Sequence, residues 1–179
     1  DRDDAARLRR GDTAGLVGLM GRHQDRLFRY LLRLVGDEAV AEDTFQQTWL
    51  RVAERIGAYD RSRPFGPWLF AVALNLVRED GRKAVRQGRR LELYRAESPQ
   101  SSPAADQVLE RSDDVRAVQQ ALATLPERDR EALLLKAEGF NYDEIAETLG
   151  LAKGAVGTTL SRARRRLVEA YRTQGGRHV

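Results

Sequence analysis

Residues 139–167 read GFNYDEIAETLGLAKGAVGTTLSRARRRL, and their spacing decides the fold of the C-terminal third. Asn141 is a good helix N-cap, and Glu144 lies three residues on, the spacing of a capping box. Ala146 is small where a second helix must cross closely. Gly150, four residues later, can take the positive φ that a tight inter-helix turn needs. Beyond the turn Val156, Leu160, Ala163 and Leu167 recur at i, i+4, i+7 and i+11, one stripe facing a core. At ~100° per residue the opposite face holds Gly154, Thr158, Ser161, Arg162 and Arg165. The block predicts a helix-turn-helix whose second helix lays that face in a DNA major groove, its N-terminal half at base edges. Lys153, Arg164 and Arg166 flank the face and suit phosphates, which set affinity and register rather than sequence. Gly154 and Gly157 each lower helix propensity by roughly 1 kcal/mol relative to Ala, so base readout is expected to be thin.

Upstream of this block Val115, Val118, Leu122 and Leu125, then Leu133 to Leu135, keep a helical period. Before them the composition changes. AESPQSSPAADQ, Ala96 to Gln107, has two Pro, three Ser and almost no large apolar residue, and cannot bury enough surface to offset its ordering entropy. It reads as the centre of a flexible linker. The N-terminal half reads as three helices. Asp12 and Thr13 can cap a helix carrying Leu16, Leu19, Met20, Leu27, Tyr30, Leu31 and Leu34, which Gly36-Asp37 breaks. Ala39 to Ile56 forms the second, with Val40, Phe45, Trp49, Val52 and Ile56 along one side. Gly57 to Pro67 is loop chemistry, and Pro67 starts a third helix, Trp68 to about Lys83, apolar nearly all round until Asn75. The fold class is therefore all-α: two small helical domains, at 1–92 and 113–175, joined by a flexible linker at 93–112.

The 179 residues carry 31 Lys+Arg against 27 Asp+Glu, a net charge of +4, too small to argue from by itself. Its placement says more. Between Arg78 and Arg95 seven basic residues face three acids, and between Lys153 and Val179 seven face Glu169 alone. A helix dipole contact of ~0.3–1 kcal/mol could account for one Arg at a helix end, hardly for seven; polyanion binding is the better reading. Absence of Cys excludes disulfides and thiolate chemistry and suits a reducing compartment. The longest apolar run, Trp68 to Leu74, falls far short of the ~18 residues of a spanning helix, and no signal peptide is visible. The only histidines, His23 and His178, lie at opposite ends, and no nucleophile, acid pair or Gly-rich phosphate loop completes a catalytic set or calls for a metal or cofactor.

In this order the two domains resemble an extracytoplasmic-function sigma factor of bacterial RNA polymerase. The motifs are AEDTFQQTWLRV (Ala41–Val52) with FGPWLFAVALNLVREDGRK (Phe65–Lys83), similar to sigma region 2, and LPERDREALLLKAEGFNYDEIAETLGLAKGAVGTTLSRARRRL (Leu125–Leu167), similar to region 4. The resemblance implies a non-enzymatic cytoplasmic monomer that binds core polymerase, reads and opens the −10 promoter element with region 2, and reads the −35 element with region 4. It implies that Asp43, Gln46 and Gln47 dock on the β′ clamp helices, that region 4 sits on the β flap, and that an anti-sigma factor is a plausible partner. For the −10 element it points to the loop and the helix after it: Tyr59, Asp60, Arg61, Arg63, Phe65, Trp68, Asn75, Arg78 and Arg82. Their chemistry suits the task independently, because opened bases need flat faces worth ~1–3 kcal/mol each beside positive charge. For the −35 element it points to Lys153, Gly154, Thr158, Ser161, Arg162, Arg164 and Arg165. Departures fall on the DNA side: Leu74 stands where the family usually has Arg, Glu79 where it has Asp, and Ala152, Ala155, Gly157 and Thr159 replace commoner recognition-helix residues. The competing reading is a stand-alone helix-turn-helix regulator that binds duplex DNA without polymerase; a third is a sigma-like interaction module that has lost promoter reading.

Overall fold

The computed structural model describes residues 1–95 and 113–175, with the side chains of 84–95, 113–115 and 174–175 left aside. The segment 96–112, which holds most of the expected linker, lies outside the described residues, as do the side chains of the basic run beyond Lys83. Among the described residues there are α-helices, one 3₁₀ turn and no strand.

The first domain is built from α1 (Arg2–Arg9), α2 (Ala14–Val35), α3 (Glu38–Arg55) and α4 (Phe65–Arg95), with the 3₁₀ turn Ile56–Ala58 between α3 and the loop. In α2 the buried residues Leu19, Leu27, Tyr30, Leu31 and Leu34 form the expected stripe. Gly36 ends the helix at φ +75, and Asp37 immediately caps the next one, accepting from the Val40 amide at 2.9 Å. The expected pair of signals thus makes the sharp reversal between α2 and α3. At the start of α2 the cap is Asp12, which accepts from the Ala14 amide at 3.0 Å, while Thr13 makes no side-chain cap bond.

Three sequence expectations change. The helix α1 was not foreseen; it is short and charged, and it forms because Gly15 of α2 lets its backbone come close and Gly18 makes room for the Asp4 side chain, which Arg22 holds at 2.5 Å. In α3 Val40 is 48% exposed, and the buried side is Ala41, Thr44, Thr48, Trp49 and Val52. Thr44 and Thr48 can be buried because each hydroxyl donates to a carbonyl four residues back, both at 2.7 Å. Their polarity hid the true stripe, which is rotated from the one that Val40 suggests. Finally, α4 begins at Phe65 rather than Trp68 and runs to Arg95; Leu69, Phe70, Ala73, Leu74 and Leu76 fill the core.

The second domain comprises α5 (Asp113–Thr124), α6 (Glu127–Ala137), α7 (Tyr142–Leu149) and α8 (Ala155–Gly175). Ala121, Leu122, Leu125, Leu134, Leu135, Phe140, Ile145, Ala146, Leu149, Val156, Leu160 and Ala163 form its core; Val118, expected inside, is 41% exposed. The two domains touch. Phe140 packs edge-on against Phe70 at 4.8 Å, and the Arg26 guanidinium lies 4.0 Å from the Phe140 ring centroid. Gly66 lies under that ring, where a Cβ would stand 3.7 Å from it, an ordinary van der Waals contact.

Candidate nucleic-acid and polymerase interfaces

The helix-turn-helix is assembled as its residues direct. Asn141 Oδ1 accepts from the Glu144 amide at 2.9 Å while Glu144 Oε2 accepts from the Asn141 amide at 2.8 Å, closing the capping box. Gly150 sits at φ +63, and the Leu151 amide reaches back to the Ala146 carbonyl at 2.8 Å, ending α7 and turning the chain into α8. Val156, Leu160 and Ala163 are buried, so the opposite side of α8 is the surface. There Gly154, Gly157, Thr158, Ser161, Arg162 and Arg165 line an open concavity of about 650 Å³. Two of the six lining residues are glycines, which present backbone rather than side chain to the concavity. Lys153 and Arg164 lie exposed beside it, Lys153 paired with Asp143 at 3.0 Å.

Sequence reasoning missed Asp129. It stands on α6, 1% exposed, and holds Arg162 at 2.7 Å and Arg166 at 2.5 Å. Hydrogen bonds from Arg162, then Arg166, outweigh burial and hold the Asp129 carboxyl below the usual carboxylate range. Both guanidinium groups stay close to half exposed. Asp129 therefore fixes Arg162 at the edge of the concavity with its remaining N–H groups toward solvent. No local spacing could have revealed it, because the acid and the arginines lie 33 and 37 residues apart.

On α3 the residues Asp43, Gln46 and Gln47 share one exposed face. The structure adds two apolar neighbours to it, Leu50 at 66% exposure and Val40 at 48%. Val40, Asp43, Gln47 and Leu50 follow at i, i+3, i+7 and i+10, so a helical wheel could have found this face once Thr44 and Thr48 were recognised as buried.

The aromatic loop differs from expectation. Tyr59 is 4% and Phe65 1% exposed, and they pack edge-on at 5.3 Å. Trp68, half-buried, joins both at 5.3 and 5.6 Å. Free flat faces were expected at Tyr59 and Phe65, but here these rings build the loop instead: the Tyr59 hydroxyl donates to the Arg63 carbonyl at 2.6 Å. Burying three rings against one another outweighs leaving them in water. His23 stacks on the same group, 5.3 Å from Phe65. Burial, with Arg22 and Arg26 nearby, brings its pKa down to about 4, so the ring is neutral near pH 7 and Nε2 donates to the Asp1 carboxylate at 3.1 Å. At the loop tip Asp60 accepts from the Ser62 amide and hydroxyl at 2.9 and 2.8 Å, which hold its carboxyl below the usual range; Arg61 points outward, while Arg63 pairs with Asp60 at 3.5 Å and with Glu147 at 3.2 Å. On α4 Asn75 and Arg82 are exposed. Arg78 is not free: it makes a bidentate pair with Glu131 of α6, at 3.1 and 2.6 Å. Leu74, the residue that departs from the family pattern, is fully buried.

A family profile described as Sigma-70 region 2 matches residues 19–87, and one described as Sigma-70, region 4 matches residues 115–167. The RNA polymerase sigma factor CarQ of Myxococcus xanthus is 32% identical over 151 residues, covering 83% of this chain and 84% of CarQ. The ECF RNA polymerase sigma factor SigL of Mycobacterium tuberculosis is 36% identical over 162 residues, covering 87% and 88%. Among solved structures, CnrH in complex with the cytosolic domain of CnrY superposes with a TM-score of 0.70 at 29% identity, over 94% of this chain and 95% of that one. The sigma factor RpoE in complex with the anti-sigma factor NepR, from Bartonella quintana, gives 0.69 at 26% identity, over 86% and 94%. An all-α pair of domains, the second a helix-turn-helix with an open basic face, is the architecture of sigma-70 proteins. Within that class the chain belongs to the extracytoplasmic-function RNA polymerase sigma factors. No described helix is long and apolar enough to cross a membrane.

Proposed function

We propose that this sigma factor works through three separate surfaces. The α3 face of Asp43, Gln46 and Gln47, with Leu50 as its apolar anchor, docks on the β′ clamp helices of core polymerase. The loop and α4, through Asp60, Arg61, Arg63, Asn75, Arg78 and Arg82, meet the −10 element and its opened strand; Tyr59 and Phe65 shape the loop, and Trp68 is the half-buried ring of the three. The α8 face of Gly154, Thr158, Ser161, Arg162 and Arg165, flanked by Lys153 and Arg164, meets the −35 duplex while the second domain rests on the β flap. The protein acts as a monomeric, non-catalytic initiation factor in the cytoplasm, within domains at 1–92 and 113–175. Because CnrH and RpoE were solved with CnrY and with an anti-sigma factor, an anti-sigma protein is the expected regulator.

The observation that carries this reading is the α3 face, where Val40 and Leu50 are exposed together on the side that holds Asp43, Gln46 and Gln47. The decisive experiment is transcription with purified chain, core polymerase and sheared genomic DNA. Defined transcripts requiring both components are expected, and Asp43→Ala with Gln46→Ala should weaken core binding while leaving the helical content intact. Duplex binding by the chain alone, with no core-dependent transcripts, would favour the stand-alone regulator instead.

A further inference from the structure

Four arginines crowd the middle of α8, Arg162, Arg164, Arg165 and Arg166, and one carboxylate divides them. Asp129 stands in the first turn of α6, where the helix dipole favours a negative charge. Its Oδ1 accepts from Arg162 Nη2 at 2.7 Å and from Arg162 Nε at 3.2 Å, and its Oδ2 accepts from Arg166 Nη1 at 2.5 Å. Arg164 and Arg165 are exposed and have no carboxylate partner among the described residues. Of the two held arginines, Arg162 lines the concavity and Arg166 does not. Bonds at Nε and Nη2 fix the plane of the Arg162 guanidinium, and its Nη1 is left for whatever the concavity holds.

We propose that Asp129 is a specificity-determining residue of the duplex-reading face: by holding Arg162 it directs one guanidinium at the bases, and by holding Arg166 it withholds one cation from the phosphates. The inference rests on the −35 reading of α8. A loose arginine favours any duplex, because phosphates repeat along every sequence. A guanidinium already fixed in plane loses little freedom on binding and matches only a base edge whose acceptors lie where it points. The Asp129 charge also repels the phosphates of every duplex alike, and burial at 1% exposure spares it much of the salt screening. Asp129 therefore lowers affinity for all sequences while widening the difference between them. Arg166, which its sequence position placed beside the phosphates, is instead the second half of the clamp. The division costs no extra element, since α6 and α8 already pack together in the domain core.

The test titrates the full chain onto two fluorescein-labelled duplexes over a range of salt, at a temperature where circular dichroism shows each variant folded. One duplex is the upstream half of a promoter mapped by the transcription experiment, and the other is a scrambled duplex of the same base composition. The ratio of the two affinities reports specificity, and the slope of log affinity against log salt counts phosphate contacts. Asp129→Asn is expected to tighten binding to the scrambled duplex and to steepen its salt slope by about 0.9, as Arg166 reaches a phosphate. The affinity ratio should fall by about fivefold or more, the lower range for one well-placed arginine contact to a base. Arg166→Ala in the Asp129→Asn background should return the slope to that of the unaltered chain while the ratio stays low, because Arg162 is still loose. Glu169→Gln, the same charge change at an exposed position of α8, should leave the ratio unchanged. Partial unfolding weakens both duplexes together and steepens no slope, so it does not mimic this pattern. An unchanged ratio in Asp129→Asn, with the unaltered chain still discriminating, overturns the inference and leaves the −35 reading standing. An unaltered chain that binds both duplexes equally overturns the reading and the inference together.

Discussion

Asp129 is the residue on which two arginines of the recognition helix depend. With it replaced, Arg162 and Arg166 keep their water but lose a fixed partner, so Asp129→Asn should destabilise the second domain by about 1–3 kcal/mol in urea unfolding. Its folded pKa lies below its unfolded value of about 4. The stabilisation is therefore complete above that value and is lost as pH falls through the depressed folded pKa; acid titrations of the Asn variant should lack this component. Arg162→Ala should lower transcription from promoters that depend on the upstream element and spare templates without it. Equal loss on both templates would argue against a base-proximal position. At this scale little of the site was legible. The outward face of α8 could be read from its period, but whether Arg162 is loose or anchored depends on a carboxylate 33 residues away.

Among the elements, the turn residues carried the clearest signals. Gly36, Asp37, Asn141, Glu144 and Gly150 do in the structure what their chemistry suggests, because caps and positive-φ turns are local problems with local solutions. Gly150→Ala should cost about 1–2 kcal/mol, since a Cβ at φ +63 meets the following carbonyl. Gly21→Ala, mid-helix with nothing near its Cβ, should stabilise by about 0.5–1 kcal/mol. Comparing their melting curves separates conformational strain from helix propensity. Gly15→Ala is a packing test: its Cβ would stand 2.7 Å from the Leu8 amide nitrogen and closer still to the Asp4 carbonyl oxygen. The substitution should lift α1 off α2, seen as faster amide exchange confined to residues 2–9. Helix α1 escaped the sequence because its eight residues are mostly charged and its stability comes from the glycine surface it rests on.

Across the whole molecule, Phe140 is the joint. It belongs to the second domain's core, is 1% exposed, and inserts against Phe70 and Arg26 of the first. Phe140→Ala should lower stability by roughly 3 kcal/mol or more and split a single calorimetric transition into two, as each domain melts by itself. A variant that still unfolds in one step would show that the ion pairs alone couple the domains. The amino-acid sequence by itself determined the class of fold, the helix-turn-helix, the reversal at Gly36-Asp37 and the family, because these follow from period, caps and motifs within short spans. Only the tertiary structure decided that Thr44 and Thr48 are core while Val40 and Leu50 face outward, that Tyr59 and Phe65 build the loop rather than present themselves, and that Arg78 meets Glu131. In each case burial and pairing depend on which helix lies opposite, and neighbours 53 residues distant leave no trace in local spacing.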